Sequence, residues 1–312
     1  MLSYSDFLLT VDFDRTLTAP DVTIPRANLD AIRRFMALGG SFTLNTGRSI
    51  PMFRDYLDTI PHNAPMLLYN GAAWYEGGKL THCRTIGADW KEMAKEILSV
   101  FPELTMEIQG INAHYVFRPN PNWEKFCLAQ HSIPAYADGS TDIGPFLKFA
   151  LYAPFRAATV DALFRPVPED VAYIDRVADW LDRTYGSLLQ VCRSSPRFLD
   201  VQTGGVSKAA SALDLKARLG KRVLICIGDA DNDRSMLEAA DFAFCPADGA
   251  LAGDYPNVCP CADGAVADVI EKKIPEIIRG LPAERIDSGG DFLYNRRCVF
   301  LIKCHKYEEL KD

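Results

Sequence analysis

The 312-residue chain has no surplus of basic residues: 34 Lys and Arg stand against 41 Asp and Glu, for a formal net charge of -7. A protein that binds nucleic acid or an anionic membrane surface through its phosphates needs a basic face, so neither is an expected partner. No run approaches the ~18 apolar residues of a membrane span. No basic stretch leading into an apolar one opens the sequence as a secretory leader would, and a cytoplasmic location is the expectation. Several catalytic signatures are also missing. The five histidines form no H-E-x-x-H, no serine lies in G-x-S-x-G, and G-x-x-x-x-G-K-[ST] does not occur. Zinc proteases, serine hydrolases and P-loop nucleotide hydrolases are thereby disfavoured. The nine cysteines are odd in number and never spaced C-x-x-C, which fits reduced thiols better than disulfides or structural zinc. There are no internal repeats or low-complexity tracts.

What the chain does have is apolar residues, 48% of the total, enough for a sizeable core in one large or two ordinary domains. The run Phe7-Leu8-Leu9-Thr10-Val11 reads as a buried strand, and Asp12-Phe13-Asp14-Arg15-Thr16 follows it directly. Ligands of open α/β sheets gather at the carboxyl ends of parallel strands. Asp12 and Asp14 therefore stand where an active site is expected, on one side of the chain if the extended geometry persists. Crowded carboxylates raise each other's pKa unless a cation intervenes, which brings a hard divalent ion, most naturally Mg2+, into the hypothesis.

Helical spacing follows Pro25 and stops at Gly39-Gly40; a second strand, 41–44, runs into Asn45-Thr46-Gly47-Arg48. Hydroxyl, amide and guanidinium donors there suit a phosphate. A helix is expected over 50–57, a third strand over 65–69, then a hairpin turning at Gly77-Gly78. From about Cys83 to Leu199 the pattern changes to an α+β insertion, with helices expected at 90–101, 123–130 and 171–185 and strands at 104–109, 113–118, 146–152, 188–193 and 197–201. After a return linker at 202–206, Ser207 can cap a helix that begins with Lys208. A lysine in a first turn is mildly unfavourable for the helix dipole. Strand 222–227 then ends in Gly228-Asp229-Ala230-Asp231-Asn232-Asp233, again placing acids just past a strand. Strands at 242–245 and 257–259 and a closing helix at 265–270 follow. Alternation of this kind implies a parallel sheet.

Phosphoryl transfer needs a nucleophile, a metal, cationic donors to the phosphoryl oxygens and an acid for the leaving group. Asp12, Asp14, Thr46, Lys208 and Asp229 can fill those roles. The ordered set D-F-D-R-T-L, N-T-G-R, Y-N-G-A, G-V-S-K and G-D-A-D-N-D resembles the haloacid dehalogenase (HAD) superfamily, in particular its Cof-type, subfamily IIB phosphatases. The resemblance implies an α/β fold: a Rossmann-like parallel-sheet core, at 1–82 and 200–285, carrying an inserted α+β cap of the C2 type at 83–199, with a C-terminal extension at 286–312. It further implies that Asp12 is the nucleophile forming an aspartyl-phosphate and that Asp14 is the general acid and base. Mg2+ would be held by Asp12, the main-chain carbonyl of Asp14, and Asp229. Thr46, Gly47 and Lys208 would bind the phosphoryl group, with Arg48, Asn232 and Asp233 in support.

The implied activity is hydrolysis of a small phosphorylated metabolite, a sugar phosphate first among candidates. The alternatives are a phosphotransferase or phosphomutase using the same intermediate, and a binding or regulatory protein that keeps the fold. Arg15 stands where the family usually has glycine, which is tolerable if its φ stays negative, and an outward-pointing side chain is expected. Asn45 stands where alanine is common. The extension, with its apolar run Cys298-Val299-Phe300-Leu301-Ile302, could form an edge strand or a contact in a homo-oligomer.

Overall fold

The computed structural model describes residues 2–111, 113–129, 135–154, 156 and 167–280; the extension at 286–312 lies outside them, as does the end of the second core segment. The central sheet has strand order β14-β13-β12-β1-β2, built from β1 (Phe7–Val11), β2 (Ser41–Leu44), β12 (Val223–Ile227), β13 (Phe242–Pro246) and β14 (Asn257–Val258). Every pairing in it is parallel. All residues of β1 and β12 are buried, as both faces of a doubly wound sheet require. Phe7, Leu9 and Val11 pack with Ile32 and Phe35 of the Arg26–Ala37 helix and with Val266 and Ile270 near the end of the described chain. On the other face Leu8 and Leu224 meet Ala212 and Leu215 of the Lys208–Arg218 helix and Met236 of the Arg234–Ala239 helix.

Strand β3 (Met66–Leu68) joins β2 through one parallel bridge, Asn45 to Leu67, and pairs antiparallel with β4 (Ala73–Glu76), which turns at Gly77 and Gly78 into β5 (Lys79–Thr81). The expected third strand is thus shorter than its apolar run. It stops before Tyr69 because Tyr69 and Asn70 both take φ +54°, a left-handed turn no strand can continue through. The expected 50–57 helix is also divided, into an α-turn at Ile50–Phe53 and a 3-10 turn at Arg54–Tyr56.

A second sheet has order β10-β11-β9-β6-β7-β8. Its strands are β6 (Thr105–Gly110), β7 (His114–Phe117), β8 (Ala135–Tyr136), β9 (Phe146–Tyr152), β10 (Leu189–Ser195) and β11 (Phe198–Thr203); β8, two residues long, has no strand pattern to betray it. Pairing is antiparallel except between β7 and β8. One face carries Met106, Ile108, Phe149, Leu151, Leu199 and Val201 against the Trp90–Val100 and Pro168–Tyr185 helices. At one end the opposite face is covered by Trp123 of the Pro121–Ala129 helix. The expected linker 202–206 is shorter than predicted, since Gln202 and Thr203 are the last rungs of β11. The α/β core with an inserted α+β cap follows from these sheets.

Candidate active site

Strand β1 delivers Asp12 to the carboxyl edge of the central sheet, where its N–H donates to Ile227 O at 2.9 Å and Asn45 N–H donates to Val11 O at 2.9 Å. The ends of β1, β2 and β12 are thereby stitched together below the site. Ser207 caps the next helix through Ala210 N–H at 3.0 Å, which puts Lys208 in its first turn and aims the ammonium at the same edge. Lys208 Nζ lies 2.5 Å from Asp12 Oδ1 and 2.6 Å from Asp233 Oδ1, and its side chain is fully buried. Asp233 Oδ2 accepts from the N–H groups of Asp229 and Ala230 at 3.0 and 3.2 Å. Gly228 is required beneath it, because a Cβ there would meet Asp233 Cβ at 2.5 Å. Thr16 Oγ1 donates to Asp229 Oδ1 at 3.2 Å.

Oxygens of Asp12, Asp229 and Asp233, all buried, lie within 4.8 Å of one another. Three carboxylates and one ammonium leave the cluster too negative. Burial, followed by repulsion from Asp233, raises Asp12 well above the usual carboxylate range despite Lys208. The same causes, opposed by Lys208, push Asp229 up to about 7. Burial alone would depress Lys208, yet Asp12 and Asp233 overcome it and raise its pKa, so the ammonium is charged. Hard oxygen donors, close together and short of positive charge, fit a divalent cation of the Mg2+ kind. Asp233 already spends one oxygen on Lys208 and the other on backbone N–H groups, so Asp12 and Asp229 are better placed to ligate and Asp233 to hold the lysine.

A model of the haloacid dehalogenase-like hydrolases matches residues 9–250. The chain belongs to that family. Solved structures with the same fold include a haloacid dehalogenase-like hydrolase from B. subtilis, with TM-score 0.70 at 19% identity over 85% of this chain and 99% of that one. A HAD subclass IIB sugar phosphatase aligns with TM-score 0.67 at 16% identity over 85% and 97% of the two chains. A HAD phosphatase from Bacteroides thetaiotaomicron gives 0.67 at 18% over 86% and 95%. These agree with the Cof-type, subclass IIB assignment made from the motifs.

Within the HAD fold the two motif aspartates part company. Asp12 turns to Lys208, whereas Asp14 is held by Arg48, Nε to Oδ2 at 2.8 Å and Nη2 to Oδ1 at 2.6 Å. The guanidinium also lies 4.9 Å from the Phe13 ring centroid. Arg48, expected as a phosphate donor, thus engages the expected acid. Thr46 is buried, with Oγ1 accepting from Arg48 N–H at 3.2 Å, and Gly47 packs so closely on Asn70 that a Cβ would lie 2.8 Å from its Oδ1. Asn232 lines a cavity of about 560 Å³ that also touches Lys208, Cys192 and Gln202.

Arg15 meets its expectation in its exposed side chain and departs from it in its backbone. Its φ is +58° and its side chain is exposed, so it occupies a left-handed position without being glycine. The turn that folds Phe13–Leu17 back over the site imposes that conformation, with Arg15 N–H donating to Thr18 Oγ1 at 3.2 Å. Some residues at the site carried no assigned role in the sequence reading. Asn45 Nδ2 donates to Lys208 O at 2.8 Å, tying the β2 loop to the lysine's helix turn. Lys148 and Asp200, buried in the second sheet, reach the same loops; a lysine inside Phe-Leu-Lys-Phe-Ala-Leu is the signal that could have found them.

Proposed function

We propose that this HAD hydrolase is a Mg2+-dependent phosphatase acting on a small phosphorylated metabolite, a sugar phosphate first, through an aspartyl-phosphate on Asp12. The reading rests on one observation: a buried lysine shared between Asp12 and Asp233 beside Asp229. Lys208 holds Asp12 in place and offsets part of the cost of ionising it, and its ammonium can follow the charge that develops on the phosphoryl oxygens. Thr46 and Gly47 supply neutral donors for the remaining oxygens. Asp14, at the mouth of the site with half its side chain exposed, protonates the leaving oxygen and then takes a proton from water. Asp12, Asp229 and the Asp14 carbonyl would hold Mg2+, which would supply positive charge to neutralise the carboxylates and Lewis acidity toward the phosphoryl group. Asp233 holds the lysine, and Asn232 would support the metal site.

In this proposal 83–199 is the cap that excludes water from the site and selects the leaving group. No described helix is long and apolar enough to cross a membrane, and a cytoplasmic location belongs to the proposal. The subclass IIB neighbour is a sugar phosphatase by its own description, which supports the substrate class. The test is release of inorganic phosphate from a panel of sugar phosphates, nucleotides and p-nitrophenyl phosphate with Mg2+, alongside Asp12→Ala and Asp12→Asn. Hydrolysis is expected in the wild type, with a loss of at least tenfold in kcat in either variant, about 1.4 kcal/mol or more. Phosphoryl transfer to a sugar hydroxyl without phosphate release would favour the mutase alternative, and no turnover of any ester the binding one.

A further inference from the structure

The face of the second sheet opposite its helices bears a polar row across five strands: His114, Gln109, Lys148, Gln202 and Gln190 are successive cross-strand partners. The neighbouring row places Asp200 beside Ala150 and Cys192. Lys148 and Asp200 are almost fully buried, and their ion pair is 2.9 Å long. Buried ion pairs are poor stabilisers, since desolvation offsets most of their attraction and an apolar pair often serves better. This pair has other partners that account for it. Lys148 Nζ donates to Gly47 O at 2.7 Å, and Asp200 Oδ2 accepts from Asn70 Nδ2 at 2.8 Å and Ser194 Oγ at 2.6 Å.

Three consecutive carbonyls of the β2 loop are thereby fixed, Thr46 O by Asn70 N–H, Gly47 O by Lys148 and Arg48 O by Tyr69 N–H. In a trans peptide the C=O of one residue and the N–H of the next point opposite ways. Lys148, by holding Gly47 O, therefore turns Arg48 N–H away from itself and onto Thr46 Oγ1. An oxygen that accepts there is left with its own hydrogen to donate elsewhere. We propose that Lys148, held by Asp200, is a positioning residue for phosphate: it orients the Gly47–Arg48 peptide so that the Thr46 hydroxyl donates to a phosphoryl oxygen, and it does so only while the cap is docked. The inference rests on the phosphatase reading and extends it to a residue of the inserted domain.

The test uses the full-length protein with Mg2+ and two readouts, calorimetric binding of inorganic phosphate and kcat/KM for p-nitrophenyl phosphate. The double variant Lys148→Met with Asp200→Asn leaves no unpaired buried charge. About tenfold weaker phosphate binding and a similar fall in kcat/KM are expected, with a cooperative melt retained. In a Thr46→Val background the same pair of changes should cost little more, because the effect passes through that hydroxyl. A merely structural role would instead lower the melting temperature and add its full cost in both backgrounds. Should the double variant not fold, Lys148→Arg, whose planar fork replaces the single ammonium, gives the same comparison with a smaller expected loss. Unchanged phosphate affinity in the folded variant, or full additivity with Thr46→Val, overturns the inference while leaving the phosphatase intact. Wild-type protein that neither binds phosphate nor hydrolyses any ester overturns the functional reading and this inference with it.

Discussion

Arg48 grips Asp14 with both arms of its guanidinium, at 2.8 and 2.6 Å, while its own side chain is buried and that of Asp14 is half exposed. The arginine thus fixes where the proposed acid points. A lysine could keep the charge but not the two-point grip. Arg48→Lys is expected to lower kcat about tenfold to a hundredfold on substrates with poor leaving groups, and less on p-nitrophenyl phosphate, whose leaving group needs little protonation. Combined with Asp14→Asn it should cost almost nothing further. Steady-state kinetics on both substrates checks this, and full additivity would dissociate Arg48 from the acid's work.

Asp229 titrates near 7 instead of 3.8, burial first and Asp233 second, and Asp12 is raised for the same reasons. A carboxyl that binds its proton more tightly folded than unfolded adds stability that is fully present below the unfolded pKa and lost as pH rises through the folded one. Metal-free protein is therefore expected to lose thermal stability from Asp229 as pH rises between about 4 and 7, with Asp12 adding a loss of the same sign, and Mg2+ is expected to restore stability at the upper end. Scanning calorimetry across that range, in EDTA and in Mg2+, measures it. Asp229→Asn should flatten the slope in EDTA and remove much of the Mg2+ effect; a slope unchanged in that variant would count against the assignment.

Activity should vanish in EDTA and return with Mg2+, whereas Ca2+ should inhibit. Calcium takes more ligands at longer range than magnesium and would fit the proposed Asp12 and Asp229 site less tightly. Asp229→Ala should raise the Mg2+ needed for half-maximal rate. An unaltered requirement would take Asp229 out of the metal's shell.

Arg15 pays for a left-handed backbone that glycine would adopt freely. Arg15→Gly relieves roughly 1 kcal/mol of strain, partly offset by the greater freedom of glycine in the unfolded chain. A rise of a degree or two in melting temperature, on the order of that balance, is expected. A clear fall would mean that the side chain makes contacts worth more than the strain.

The central sheet was legible in the sequence because its strands are continuous apolar runs, and a run such as Val223–Ile227, buried at every position, leaves little choice. Asp12, Lys208 and Asp229 were legible because each follows a strand end or helix cap that fixes its place. The φ of Arg15 was not, since it is set by a tight local turn, Arg15 N–H to Thr18 Oγ1, that a non-glycine residue does not announce. Neither was the partner of Arg48: a guanidinium beside Thr46 reads as a phosphate donor until the fold shows Asp14 within reach. The row through Lys148 was hidden for another reason. Alternation identifies the two faces of a strand but not what lies opposite the polar one.

The register of β1 against β12, Phe7 to Val223 and Val11 to Ile227, carries a consequence for biosynthesis. The strand bearing the proposed nucleophile emerges from the ribosome some 216 residues before one of its two neighbours. Until then it can pair only with β2, leaving open an edge that the finished fold buries completely. The second sheet closes entirely within Thr105–Thr203, so it can mature while the first strand still waits. Long-range pairings of this kind fold slowly and expose sticky edges meanwhile. Chains truncated between Thr203 and Val223 and released from the ribosome should therefore carry a protease-resistant cap on an unfinished core that depends on chaperones.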